Sequence, residues 1–154
     1  PEVLLSARAM NLALTVLEPF LAKDKREASG KILIATVRGD LHDIGKNMVS
    51  TMLRGVGFDV VDLGINIGVE DFIANVEKHR PDILGMSALL TTTMPEMKKV
   101  IDLLVTRGLR STVKVIVGGA PVNEKFARDI GADGYGADAG SSVDLARKLL
   151  QKKV

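Results

Sequence analysis

The sequence contains no cysteine and few aromatic residues. Without cysteine, its 154 residues can form no disulfide framework, no thiolate zinc site and no thiol nucleophile. Aromatic residues make up only 3% of the chain, so it lacks the platforms on which many proteins stack nucleic-acid bases. These two absences exclude disulfide-rich folds, thiol enzymes and base-stacking nucleic-acid binders.

Charge of one sign and long apolar runs are also missing. The 21 Lys and Arg residues are scattered and nearly balance 19 Asp and Glu residues, so no basic face for nucleic acid is expected. No run of about 18 apolar residues is present, which excludes a membrane span. Residues 1–28 carry charges throughout and lack the apolar core of a signal peptide. We therefore expect a cytoplasmic protein with neither nucleic acid nor membrane as a partner.

What is present is one domain's worth of apolar sequence with alternating patterns. Hydrophobic residues make up 46% of the chain, enough for the core of one compact domain. Nearly all-apolar strands alternate with helices, which predicts an α/β fold with a parallel sheet covered on both faces. Strands are predicted at 31–37, 58–63, 82–87, 113–117 and around 133–135, and helices at about 45–56, 69–79, 94–108, 121–130 and 141–152.

The first 28 residues predict a separate helical segment, and residues 29–154 the α/β domain. Apolar side chains at helical spacing predict one amphipathic helix over 2–21, followed by a polar linker that ends at Ser29-Gly30. One such helix cannot bury its own apolar stripe. We expect the stripe to pack on the α/β domain, on a second copy in a homodimer, or on a partner, and the chain to be a fragment or to borrow a partner's surface. The stripe comprises Val3, Ala7, Met10, Leu14, Leu17 and Leu21.

The ends of the predicted strands gather one imidazole among small and hydroxylic residues. Ligands of doubly wound sheets bind at the carboxyl ends of the strands. His42 stands in the first of these loops, and a neutral imidazole is a good metal ligand when its second ring nitrogen has a partner. Asp40, two residues earlier, can be that partner. Asp43 fits a helix N-cap as well as a site residue, and Ser141 with Asp144 predicts a capping box for the last helix.

These residues together resemble the cobalamin-binding signature of corrinoid proteins and methionine synthase. Asp40-x-His42-x-x-Gly45 is followed after 41 residues by Ser87-x-Leu89, and after 28 more by Gly118-Gly119. The stretches 60–64 and 131–139 resemble the corrinoid methyl-carrier branch, and the resemblance covers residues 30–154. It implies a flavodoxin-like sheet of five parallel strands in the order 2-1-3-4-5, with cobalamin as the cofactor.

The resemblance also implies a role for each matching residue. His42 would ligate cobalt in place of the cofactor's own dimethylbenzimidazole, within a hydrogen-bonded relay that Asp40 and Thr93 complete. Methionine synthase has serine where Thr93 stands; threonine supplies the same hydroxyl, and Thr92 is an alternative in register. Ser87 and Leu89 would contact the displaced base, and the paired glycines would form a slot for the nucleotide tail. The implied cofactor-binding set is Gly39, Asp40, His42, Asp43, Ile44, Gly45, Ser87, Leu89, Thr91, Thr93, Gly118, Gly119, Tyr135 and Ala139.

The function implied is that of a non-catalytic corrinoid component of a methyltransferase system. Such a protein alternates between methylcobalamin and cob(I)alamin, carrying methyl from a substrate-specific methyltransferase to a second methyltransferase that serves tetrahydrofolate or a thiol. Residues 1–28 resemble the end of the helical cap bundle of these carriers, which favours this class. The alternatives are a small subunit of an adenosylcobalamin-dependent mutase and a cobalamin-sensing regulatory domain. A receiver domain is disfavoured because Ser87 stands where it needs Asp, and a dinucleotide-binding domain because the first loop lacks G-x-G-x-x-G.

Overall fold

The computed structural model describes residues 2–21 and 29–151. A first helix is followed by five strand–helix units. The elements are α1 (Glu2–Leu21), β1 (Lys31–Thr36), α2 (Ile44–Gly55), β2 (Asp59–Asp62), α3 (Val69–His79), β3 (Ile83–Ser87), α4 (Met94–Thr106), β4 (Lys114–Gly118), α5 (Glu124–Asp129), β5 (Gly134–Gly136) and α6 (Ala139–Gln151).

The five strands form one parallel sheet in the order β2-β1-β3-β4-β5, which confirms the fold class expected from the sequence. In the register of the central strands, Thr36 lies beside Ser87 and Ser87 beside Gly118. The carboxyl ends of β1, β3 and β4 therefore lie side by side, and the loops that follow them meet at one edge.

Alternate residues of the central strands point to opposite faces of the sheet and build two separate cores. Leu33, Leu84 and Val115 belong to a large cluster that also contains buried residues of α3, α4 and α5. Ile32, Ile83 and Ile116 belong to a smaller cluster with residues of α2 and α6. Helices α2 to α6 are thus divided three and two between the faces of the sheet.

Helix α1 lies beside α2. Among the apolar residues of α1, Leu5, Met10, Leu12 and Val16 are exposed. Only Met10 belongs to the expected stripe; the side chains of its other members lie outside the described part of the chain, as do the linker at 22–28 and the C-terminal lysines. No helix within 2–21 or 29–151 is long and apolar enough to cross a membrane.

Two helix starts differ from the sequence prediction. The capping box of the last helix was expected between Ser141 and Asp144, and this is wrong. Helix α6 begins at Ala139, so Ser141 is its third residue; Ser141 N–H donates to Asp138 Oδ1 at 2.7 Å and Asp138 N–H donates to Ser141 Oγ at 3.0 Å. Helix α5 begins only at Glu124, where the side chain of Asn123 caps it by accepting from Phe126 N–H.

Candidate cofactor site

The loops at the carboxyl edge surround a cavity of about 620 Å³. It extends from the edge of the sheet into the layer between the sheet and the two helices α2 and α6. Its deep walls are apolar side chains of strands and helices, among them Ile34, Ile83, Ile116, Leu53 and Ala146. A cavity of this size lies in the usual range for sites that hold small molecules or cofactors.

His42 lies in the wall of this cavity, half exposed. Its Nδ1 is 2.7 Å from Asp40 Oδ1, and its main-chain carbonyl accepts a hydrogen bond from the Thr36 hydroxyl at 2.9 Å. Nε2 makes no hydrogen bond within the described part of the chain. Because Asp40 accepts a hydrogen bond from Nδ1–H, the lone pair of Nε2 is available to bind a metal.

Asp40 is fully buried directly behind the imidazole. Its Oδ2 accepts from the N–H groups of Leu89 at 2.7 Å and Leu90 at 3.2 Å, and from the Thr93 hydroxyl at 2.8 Å. Its Oδ1 accepts from His42 N–H at 3.1 Å as well as from the ring. Burial raises the pKa of the Asp40 carboxyl, but these donors outweigh it and hold the pKa well below its usual range.

The hydroxyl that reaches Asp40 is that of Thr93 and not that of Thr92. Thr93 is buried, and its Oγ1 lies 2.8 Å from Asp40 Oδ2 and 2.9 Å from the carbonyl oxygen of Leu90. Thr92 and Thr91 are exposed. The structure therefore brings His42, Asp40 and Thr93 into one continuous hydrogen-bonded chain.

Ten of the fourteen residues expected to bind the cofactor line the cavity. The Ser87 hydroxyl makes no hydrogen bond to the described residues, so its hydrogen-bonding capacity is free for a ligand. Asp40 and Thr93 lie behind His42, and Gly39 and Thr91 are exposed; these four do not line the cavity. The lining members of the set are His42, Asp43, Ile44, Gly45, Ser87, Leu89, Gly118, Gly119, Tyr135 and Ala139.

The glycines of the site differ in what an added side chain would meet. Gly119 has φ +120°, and a Cβ there would lie 1.8 Å from the carbonyl oxygen of Ala88; a Cβ on Gly118 would lie 3.0 Å from that of Gly136. The backbone itself therefore needs glycine at 119, whereas at 118 a side chain would be tight against β5. A Cβ on Gly45 would meet nothing within 4 Å. At Gly45, a residue of the cavity lining, the missing side chain thus leaves open space.

Residues 30–144 match the B12 binding domain family. The chain belongs to this family. Cobalamin is accordingly the cofactor of the B12-binding domain described above. A corrinoid protein of Desulfitobacterium hafniense (strain Y51) is 46% identical over 155 residues, which cover 99% of this chain and 72% of that protein.

Two solved structures from Methanosarcina barkeri are similar to this B12-binding domain. The monomethylamine corrinoid protein superposes with a TM-score of 0.81 at 39% identity, covering 97% of this chain and 71% of that chain. A chain of the methanol:cobalamin methyltransferase complex superposes with a TM-score of 0.78 at 33% identity, covering all of this chain and 58% of that one.

The residues present fit a cofactor that brings its own metal. The described residues contain no group of three or more His, Asp or Glu side chains able to hold a metal ion by themselves. His42 instead offers one nitrogen at the rim of a deep, mainly apolar cavity. One protein ligand at the rim of such a cavity suits a metal already held by an organic macrocycle.

Sequence reasoning missed an ion pair made by a buried lysine of the cavity wall. Lys46, only 4% exposed, donates from Nζ to Asp62 Oδ2 at 2.5 Å and to Asn47 Oδ1 at 2.7 Å. Asn47 in turn donates to Asp43 Oδ2 at 3.0 Å, so the Asp43 side chain bonds to Asn47 and does not cap α2, although Asp43 does stand at the N-cap position. Asp62 lies in the stretch 60–64 that resembles the methyl carriers, but its pairing with Lys46 exists only in the folded chain, so no sequence pattern indicated it.

Proposed function

We propose that this B12-binding domain is the methyl-carrying component of a methyltransferase system, with His42 as the lower ligand of cobalt in place of the cofactor's own base. It would serve a substrate-specific methyltransferase and a second methyltransferase that acts on tetrahydrofolate or a thiol. The observation that carries the proposal is the His42–Asp40 pair, 2.7 Å apart, at the rim of the cavity. The similarity to corrinoid proteins of methylamine and methanol systems supports the carrier role over the mutase and regulator alternatives.

When bound, the cobalt of the cofactor supplies the methyl-transfer chemistry itself. The chain's contribution is to orient and tune His42. The ionised carboxylate of Asp40 holds the proton on Nδ1, which fixes the tautomer, aims Nε2 at the metal position and makes Nε2 more basic. The N–H groups of Leu89 and Leu90 and the Thr93 hydroxyl hold that carboxylate in place from the other side.

The same arrangement keeps the carboxylate behind His42 charged. Asp40 accepts five hydrogen bonds and its pKa is held low, so it stays ionised. The His42 side chain is half exposed, and its Nδ1 lies beside that charge, so Nε2 is the ring nitrogen left to face a ligand. The charge of Asp40 thus holds the imidazole in one orientation and one tautomer.

The cavity behind His42 is the proposed slot for the nucleotide tail. Its walls combine apolar strand residues with small residues at the rim, such as Gly45 and Ala139, and the free hydroxyl of Ser87. An apolar pocket of this depth binds by excluding water from the tail, while a few polar groups fix its orientation. Affinity and metal ligation are thus assigned to different parts of the site.

The helical cap role of residues 1–28, homodimer formation and a cytoplasmic location stay predictions.

The test is the electron paramagnetic spectrum of cobalt(II) cobalamin bound to the protein, with nitrogen-15 in its benzimidazole. A nitrogen-14 triplet is expected, because the ligand nitrogen comes from the protein. His42→Ala should lose the triplet while retaining bound cofactor, since the cavity is intact. His79→Ala is the matched control, because His79 is the chain's other histidine and ends α3 away from the cavity. A nitrogen-15 doublet in the wild type would contradict the proposal.

A further inference from the structure

The loop that follows β2 contacts the histidine loop through one residue in an unusual backbone conformation. Asn66 has φ +55°, in the left-handed region that non-glycine residues seldom adopt. In the described part of the chain only one other non-glycine residue has positive φ, Arg80, which ends α3. Asn66 follows the carboxyl end of β2, whereas Arg80 precedes the amino end of β3.

Asn66 makes two hydrogen bonds to the histidine loop, one on each side of the peptide that joins Gly39 to Asp40. Its side-chain Oδ1 accepts from Gly39 N–H at 2.8 Å, and its own N–H donates to the carbonyl oxygen of Asp40 at 3.1 Å. The next residue, Ile67, donates to the carbonyl oxygen of Thr36 and forms a bridge with Val37. Asn66 is therefore anchored to the sheet while it binds the loop.

The left-handed conformation explains why asparagine stands at this position. The side-chain oxygen and the main-chain N–H of one residue must both face the same loop, and glycine, asparagine and aspartate adopt such a backbone most readily. Glycine would keep the backbone but has no side-chain acceptor. Gly39 itself has φ +81° and begins an irregular stretch without helix or strand, so its N–H depends on a partner from outside the loop.

We propose that Asn66 is a positioning residue for the metal ligand: it fixes the Gly39–Asp40 peptides and thereby the Asp40–His42 pair. The contacts of Asp40 with Leu89, Leu90 and Thr93 hold only its side chain, and the Thr36 hydroxyl holds only the carbonyl of His42. Within the loop, Asp40 N–H donates to the carbonyl oxygen of Val37 at 3.2 Å, and Asn66 holds the same main chain from outside the loop, at Gly39 N–H and at the Asp40 carbonyl. Its loss lets this backbone shift and turns the imidazole away from its productive direction. This inference rests on the proposed ligation by His42.

Two substitutions separate the acceptor from the backbone. Asn66→Gly keeps the left-handed conformation and the N–H but removes Oδ1, whereas Asn66→Asp retains an acceptor oxygen. Arg80→Gly is the matched control, because it makes the same backbone change at the opposite edge of the sheet. In the cofactor-free chain, the Gly39 amide should exchange its hydrogen faster in Asn66→Gly than in the wild type or Asn66→Asp.

The decisive measurement is the ratio of histidine-ligated to unligated cobalt(II) in the paramagnetic spectrum. Asn66→Gly should lower it about three- to tenfold, the effect of one lost hydrogen bond, and leave cofactor binding intact. Asn66→Asp should restore the ratio toward the wild-type value, and Arg80→Gly should not change it. An unchanged ratio in Asn66→Gly, or an equal fall in Arg80→Gly, overturns the inference. A wild type without the nitrogen-14 triplet would instead overturn the proposed ligation itself.

Discussion

The two faces of the sheet differ in how fully their apolar side chains are packed. On the face covered by α3, α4 and α5, 19 buried residues form a continuous cluster. On the face covered by α2 and α6 the cluster contains seven, and the cavity of about 620 Å³ extends into the same layer. The first face is a finished core that stabilises the fold without a ligand. The second uses its apolar residues as the wall of a binding site, so folding and binding are largely separated in one small domain.

The largest expected effect is on the free energy of unfolding, when one leucine on each face is replaced by alanine. Leu104 of α4 is fully buried in the finished core, and we expect Leu104→Ala to lower the free energy of unfolding by about 2–5 kcal/mol. Leu53 of α2 borders the cavity. Leu53→Ala should lower it less, since part of this side chain already faces empty space. Denaturant unfolding of the cofactor-free variants measures both. Equal losses would show that the two faces are equally packed.

A second prediction concerns Asp40, the buried carboxylate at the carboxyl edge of the sheet. Asp40→Asn places an amide NH₂ against N–H donors and should lower the free energy of unfolding by about 1–3 kcal/mol near neutral pH. Because the folded pKa of Asp40 is depressed, its stabilisation is full above the unfolded value of about 3.9 and is lost as pH falls toward the folded pKa. The difference between wild type and variant should therefore shrink below about pH 4. Urea titrations at several pH values measure it, and a difference independent of pH would contradict this account.

The smallest expected effect on stability is that of Gly45→Ala, which should change stability and cobalamin binding in opposite directions. Gly45 lies in the first turn of α2 with open space where a Cβ would be. Gly45→Ala should raise the free energy of unfolding by up to about 1 kcal/mol, the helix-propensity difference between the two residues. It should weaken cobalamin binding, because the methyl group enters the cavity. Gly119→Ala is the contrasting variant and should destabilise the fold, since its Cβ would overlap the Ala88 carbonyl.

Much of the fold was predictable from sequence because both cores lie in the same strands. Buried parallel strands are apolar on both faces, so runs such as 31–37 and 82–87 stand out, and their order followed from the family resemblance. Helix ends were less predictable: Ser141 with Asp144 matched a capping pattern, yet the reciprocal bonds form between Asp138 and Ser141. A spacing pattern does not specify which of two overlapping starts a helix will use.

The site was predictable where its residues follow strands and hidden where they meet only in space. His42 and Asp40 are two residues apart, so their pairing was readable from the sequence. The Lys46–Asp62 pair spans sixteen residues, and the contacts of Asn66 reach 27 residues back to Gly39. The deep wall was hidden for another reason: Ile83 and Ile116 have the pattern of core residues, and nothing in a sequence marks a core that is left unfilled.

Thr93 has a single hydroxyl hydrogen for two acceptors, Asp40 Oδ2 at 2.8 Å and the Leu90 carbonyl at 2.9 Å. A bond to an ionised acceptor is the stronger of the two, so the hydrogen points to Asp40 as long as the carboxylate is charged. Thr93 is buried, and a β-branched side chain has few rotamers. The hydroxyl oxygen is thus nearly immobile while its hydrogen can rotate. The hydrogen-bonded chain from His42 therefore ends in a hydroxyl that can switch its hydrogen bond between Asp40 and Leu90 without any movement of heavy atoms.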